Sequence, residues 1–162
     1  MRTVRTTTAL LAAAAIALGG WFFAYAQEKP AELIQILPND VKWVINPALP
    51  SGLQTAVLMG NPGKPGPFTV RVKIPADFKI APHTHPDEWR TVTVLSGTWY
   101  FGLGKKFDES KLKAFPPGSF HTEQPGVPHY GTAKGQEVIL QVIAMGPSAT
   151  KYVNPEDAPK KK

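Results

Sequence analysis

An all-β domain is predicted, a sandwich or small barrel of short strands, and three observations predict it. Prolines and glycines number 17 and 14 among 162 residues, close to one in five, against roughly one in eight in an average domain. That punctuation breaks long helices and suits short strands joined by tight turns. Ten segments of strand composition alternate with those breaks, the pattern of a sandwich or barrel. All four histidines fall within one stretch, Pro82 to Tyr130, and the rest of the chain reads as a container for it.

Taken in order, the chain opens on a basic head, Met1 to Arg5, followed by an apolar run from Thr8 to Ala24. Ala24-Tyr25-Ala26 fits a small-x-small cleavage site, so residues 1–26 are expected to be a signal peptide and the mature chain to start near Gln27. The alternative is an uncleaved anchor, for which a run of about 17 residues is at the short limit. Export points to a periplasmic or secreted protein with no membrane partner once the signal is removed. Residues 27–50 form an N-terminal extension: a short helix or turn over 28–37, opened by Pro30 and ended by Pro38, then a first strand. The main domain spans 51–155, and a polar, lysine-rich tail occupies 156–162.

Strands are expected over 41–45, 53–59, 68–74, 78–82, 90–95, 98–103, 119–122, 128–132, 137–144 and 151–153, from their β-branched and aromatic content. Residues 61–67, Asn-Pro-Gly-Lys-Pro-Gly-Pro, make a stiff loop, and Ser96-Gly97 a hairpin turn. The helical candidate inside the domain is one surface turn over 105–113, whose charges read as a solvated face.

Composition excludes several functions. There is no cysteine, hence no disulfide framework, thiolate metal site or cysteine nucleophile. The net charge of +6 falls to +4 when Arg2 and Arg5 leave with the signal, and Lys160 to Lys162 supply three of those charges. The folded part is therefore near neutral and lacks an Arg/Lys stripe interleaved with aromatics, so nucleic-acid binding is not expected.

The chemistry lies with the histidines. Residues two apart on a strand share a face, so His83 and His85 present two imidazoles side by side. His129 arrives from a separate segment after the Pro125-Gly126 turn. Imidazoles converging from non-adjacent strands are how a β scaffold holds a transition metal. Three of them are costly to bury without a cation or other partners.

These residues resemble the two motifs of the cupin superfamily. His83-x-His85 and Gly97 fall in the order of the first motif, and Gly118, Gly126 and His129 in that of the second. Twenty residues separate Gly97 from Gly118, and the resemblance extends over most of the mature chain. It implies a double-stranded β-helix, the jelly-roll barrel of the cupins, with a divalent metal inside it: Fe(II), Mn(II), Zn(II) or Ni(II). It also implies that barrels can exchange strands, with which a homodimer is compatible.

The sequence departs from the pattern in places that bear on the site. Asp77 stands for the first glycine, Gln124 for a proline, and Ala133 for the asparagine four beyond His129. Where the family has a glutamate ligand, this chain has Arg90. Glu88, two residues earlier, shares the strand parity of Arg90, and a bulge after Pro86 could bring it to the metal. Alternatively Glu88 and Arg90 pair and the site is made of three histidines. An arginine aimed inward repels a cation but holds a substrate carboxylate in a bidentate grip. His121 and Glu123 share one strand face. They either enter the pocket, as a proton shuttle or spare ligand, or sit on the surface.

Together these residues predict an exported cupin with His83, His85 and His129 as ligands and Glu88 as the candidate fourth. Arg90 is the candidate substrate anchor, with His121 and Glu123 as candidate catalytic groups. Two functions stay open. One is an enzyme acting on a small organic molecule, for which dioxygenase-type chemistry leads. The other is a non-catalytic periplasmic protein that binds or senses a ligand or metal.

Overall fold

The computed structural model describes residues 33–46 and 49–159. The expected signal peptide, the first half of the expected helix over 28–37 and the final three lysines lie outside the described residues. Residues 33–37 are not helical, and a single 3-10 turn follows at Pro38–Asp40.

Among the described residues eleven strands follow in order: β1 (Val44–Ile45), β2 (Gln54–Met59), β3 (Gly66–Ile74), β4 (Lys79–Thr84), β5 (Arg90–Ser96) and β6 (Trp99–Leu103), then β7 (Lys113–Phe115), β8 (Phe120–Thr122), β9 (His129–Ala133), β10 (Val138–Gly146) and β11 (Lys151–Tyr152). All ten expected segments are represented. β7 is additional, because the expected helical turn over 105–113 shrinks to a 3-10 turn at Glu109–Lys111. The Asp108 side chain caps that turn by accepting from the Ser110 N–H at 3.0 Å. The chain is extended again from Lys113.

The strands form two antiparallel sheets, one ordered β1-β2-β3-β10-β5-β8 and the other β11-β4-β9-β6-β7. Neither sheet closes on itself, which corrects the expectation of a closed barrel. β7 and β8 are consecutive yet belong to different sheets. Pro116 and Pro117 between them supply no N–H donors, so the ladder breaks there.

The core lies between the sheets. Phe68, Val70, Val92, Val94, Leu140 and Val142 come from the six-stranded sheet, and Trp99, Phe101 and Ala133 from the other. Alternation sorts them: in β10 Val138, Leu140, Val142 and Ala144 are buried, while the residues between them are less so. Burying each of the larger side chains contributes roughly 1.5–3 kcal/mol. β9, central in its sheet, is buried along its whole length. A Cβ at Gly131 would meet the Trp99 ring and, at 2.7 Å, the Tyr100 carbonyl oxygen, so a glycine there lets Trp99 lie against the strand. The β5–β6 turn uses Gly97 at φ +70°, as its Ser-Gly sequence predicts.

Candidate metal centre

Three of the four histidines meet at the β4–β9 pair. The register of that pair slips by one between Ile80↔Gly131 and His83↔His129, leaving a bulge at Ala81 and Pro82. Proline tolerates a bulge because it has no ladder donor to lose. The slip sets His83 directly opposite His129, with ring centroids 4.3 Å apart. His85, two residues on, falls on the same side, its ring centroid 4.9 Å from that of His83. One ring nitrogen from each of the three lies within 4.8 Å of the others, and all three residues are buried.

Backbone carbonyls fix these rings. Nδ1 of His83 donates to Ala81 O at 2.8 Å, Nδ1 of His85 to Ala149 O at 2.7 Å, and Nδ1 of His129 to Val127 O at 3.0 Å. A carbonyl only accepts, so each Nδ1 carries a proton, and in the neutral ring Nε2 is the nitrogen with the lone pair. Such outer bonds orient metal-binding histidines. Burial, reinforced by the neighbouring His129, pushes His83 down to about 4. Burial, reinforced by Arg90, pushes His85 down to about 3. Both rings are therefore neutral, the form that binds metal, at neutral pH.

The facing sheet contributes charge. Arg90 opens β5 directly across from Glu123, whose N–H donates to Arg90 O at 3.1 Å. Arg90 Nε donates to Glu123 Oε2 at 2.6 Å, and its Nη1 to Asp87 Oδ2 at 2.8 Å. The Ser148 hydroxyl donates to the same Asp87 oxygen at 2.9 Å. Glu123 Oε2 lies 3.6 Å from Nε2 of both His85 and His129, and Oε1 lies 3.5 Å from Nε2 of His121. Burial alone pushes the Glu123 carboxyl up. The His121 imidazole and the Arg90 guanidinium outweigh it and hold the group well below the usual carboxylate range. The His121 ring packs against Phe101 and Phe115, with centroids 4.4 and 5.1 Å away.

His83, His85 and His129 thus form one cluster, with Glu123 facing it, Arg90 behind Glu123 and His121 beside it. The pair at 121 and 123 is not on the surface: their side chains are 9% and 10% exposed. Glu88 stands apart: it is exposed and lies outside the group of side chains close enough to share one ion, which is His83, His85 and His129. Its parity with Arg90 holds only along a continuous strand, but the chain leaves β4 after Thr84 and re-enters a strand at Arg90. In the irregular link between, Asp87 turns inward and Glu88 outward. Glu88 does not pair with Arg90 either, since Asp87 and Glu123 do. Asp87 and Ser148 are not singled out by sequence alone, and an acid three residues before an inward arginine is the signal that points to the first of them.

A cavity of about 480 Å³ between the sheets reaches the cluster. Its walls are largely apolar, Val57, Val70, Trp99 and Leu140 among them, and its charged or polar groups include His83, His85, His129, Arg90 and Glu123. Of the other aromatic residues near the motifs, Trp89 is half exposed and Tyr130 donates its hydroxyl to Asp108 O at 3.2 Å.

No protein-family model matches the chain. No curated protein matches it either. Solved structures do. The polyketide cyclase RemF from Streptomyces resistomycificus is 22% identical, with 79% of this chain and 90% of that one covered and a TM-score of 0.62. An RmlC-like cupin from Shewanella frigidimarina is 15% identical over 71% of this chain and 91% of that one, with a TM-score of 0.54. The fold is a cupin fold. The DMSP lyase DddQ from Ruegeria pomeroyi is 19% identical at a TM-score of 0.58, and the match covers 72% of this chain and 62% of the lyase. Likeness at these identities speaks for the cupin fold and leaves the reaction to be argued from the site. That site is a buried three-histidine cluster able to coordinate a metal. Its donors fit a first-row dication: three imidazoles whose Nδ1 atoms are all engaged by carbonyls, and a buried His129 Nε2 that has no hydrogen-bond partner among the described residues.

Proposed function

We propose that this cupin is a metal-dependent enzyme acting on a small organic molecule, with dioxygenase-type chemistry at Fe(II) as its reaction class. One observation carries the reading: the free lone pairs of His83, His85 and His129 converge on the wall of a mostly apolar cavity. A largely apolar pocket with a few convergent polar groups suits a small ligand held at one polar end. Bound there, a divalent ion would supply Lewis-acid or redox chemistry. The protein's own part is to hold the imidazoles neutral, to surround the site with buried apolar groups, Val70, Leu140 and Trp99, and to keep a carboxylate, Glu123, beside it. Arg90 is already balanced by Asp87 and Glu123. It is therefore proposed to act on Glu123 and not to anchor a substrate anion.

The competing reading is a non-catalytic protein that binds or senses a ligand, favoured by the arginine at the position of the usual glutamate. Metal analysis of the purified protein by plasma mass spectrometry, beside a His83→Ala/His85→Ala control, tests the site. The expected result is one equivalent of iron, lost in the control, together with oxygen consumption on a panel of phenols and diketones. Iron without turnover would favour the binding protein, zinc would replace oxygenase chemistry by Lewis-acid chemistry, and no metal in either sample would sink the site.

A further inference from the structure

We infer that Glu123 is the fourth protein ligand of the metal, supplied by the strand opposite the usual carboxylate position, and that Arg90 is the residue that positions it. This rests on the reading that His83, His85 and His129 hold the ion.

Three observations carry it. The first is spacing. Glu123 Oε2 lies 3.6 Å from Nε2 of His85 and 3.6 Å from Nε2 of His129. Donors about 2.1 Å from a shared ion stand roughly 3.0–3.4 Å apart at octahedral or tetrahedral angles. Oε2 therefore stands within a few tenths of an ångström of that spacing to two of the three imidazoles.

The second is the kind of atoms that face each other. Both Nδ1 atoms give a proton to a backbone carbonyl, and the neutral tautomer that these bonds select turns an Nε2 lone pair of each ring toward Glu123. A carboxylate oxygen is also an acceptor. Acceptors turned on one another with no proton between them repel, and a cation at their centre reverses the sign. The charges agree: Asp87 and Glu123, both buried or nearly so, face the single guanidinium of Arg90.

The third is register. Thr91↔Thr122 and Val92↔His121 pair β5 with β8, and the bond from Glu123 N–H to Arg90 O continues that register by one step. Arg90 and Glu123 are thus cross-strand partners, and the acid has moved to the far side of the pair. Arg90 grips Oε2 through Nε and is itself held through Nη1 by Asp87. The guanidinium fixes the direction in which the carboxylate points.

The test is Co(II) binding to the whole protein, read by competition with a chromogenic chelator, by the visible spectrum of the bound ion and by X-ray absorption. Glu123→Gln keeps the shape and removes the charge. It is expected to weaken Co(II) binding by about 100-fold or more and to alter the spectrum, while the three imidazoles stay bound. Arg90→Gln, which frees the carboxylate from its support, is expected to lose about 10- to 100-fold, as outer-shell changes do, again with an altered spectrum. X-ray absorption of the unmodified protein should find an oxygen donor from the chain beside three imidazoles, and this readout does not depend on any variant folding. Glu123→Gln with unchanged affinity and spectrum would overturn the inference and leave the three-histidine site standing. No Co(II) uptake by the unmodified protein would instead overturn the reading on which it rests.

Discussion

His83 and His85 stay neutral in the folded chain down to about pH 4 and about pH 3, whereas an exposed imidazole takes its proton near 6.5. Below 6.5 the unfolded chain therefore binds protons that the folded chain refuses, and each proton taken up favours unfolding. The contribution of each ring is complete above 6.5 and is lost as the pH falls from there to its folded value, roughly 3 kcal/mol for His83 and roughly 5 kcal/mol for His85. Glu123 acts in the same direction, since its carboxyl is held low in the fold. Its contribution is present above the ordinary value of 4.5 and is lost as the pH falls below it. Metal-free protein is therefore expected to lose thermal stability steadily between pH 7 and pH 4, by roughly 10 °C or more in Tm. Scanning calorimetry across that range checks it. His83→Ala/His85→Ala should flatten the slope, and an unmodified protein with a flat profile would mean that the imidazoles are not desolvated.

At the scale of elements, alternation and turn residues made the strands legible, because each strand carries its own period and each turn its own proline or glycine. Two features reset the count and are written in no single strand. The bulge at Ala81 and Pro82 appears only against β9, and the link from His85 to Trp89 breaks the parity that would have let Glu88 point inward. The three imidazoles were legible because their spacing survives both features. The acid opposite them was not, because Arg90 and Glu123 are neighbours only across β5 and β8, thirty-three residues apart in sequence. β7 was hidden by the charged run before it, whose composition suits a helix. The exchange across the pair carries a prediction. Glu123→Arg alone places two guanidiniums in the site and should abolish Co(II) binding. Adding Arg90→Glu returns the carboxylate to the other strand and should recover at least tenfold in affinity, a coupling within the range of contacting pairs. Equal loss in the single and double variants would mean that the two positions are not interchangeable supports for the ion.

Across the whole molecule the site lies between two sheets that do not close on each other. β4 and β9 bring the histidines from the five-stranded sheet, and β5 with the chain just past β8 brings Arg90 and Glu123 from the six-stranded one. An ion bound to both would act as a cross-link through the core that exists only in the folded state, so its binding energy adds to folding. With free metal at 100 times Kd the gain is about 2.7 kcal/mol, which for a domain of this size corresponds to roughly 10 °C in Tm. Removing the metal with a chelator is expected to lower Tm by that amount, and restoring Co(II) or Zn(II) to bring it back, with a logarithmic dependence on free metal. Mg(II), which prefers oxygen donors and sheds water reluctantly, should do neither. Because His83 and His129 sit on adjacent strands of one sheet, a three-histidine site alone would brace only that sheet. Glu123→Gln should then keep the stabilisation in full if the carboxylate takes no part, and lose most of it if the ion joins the two sheets.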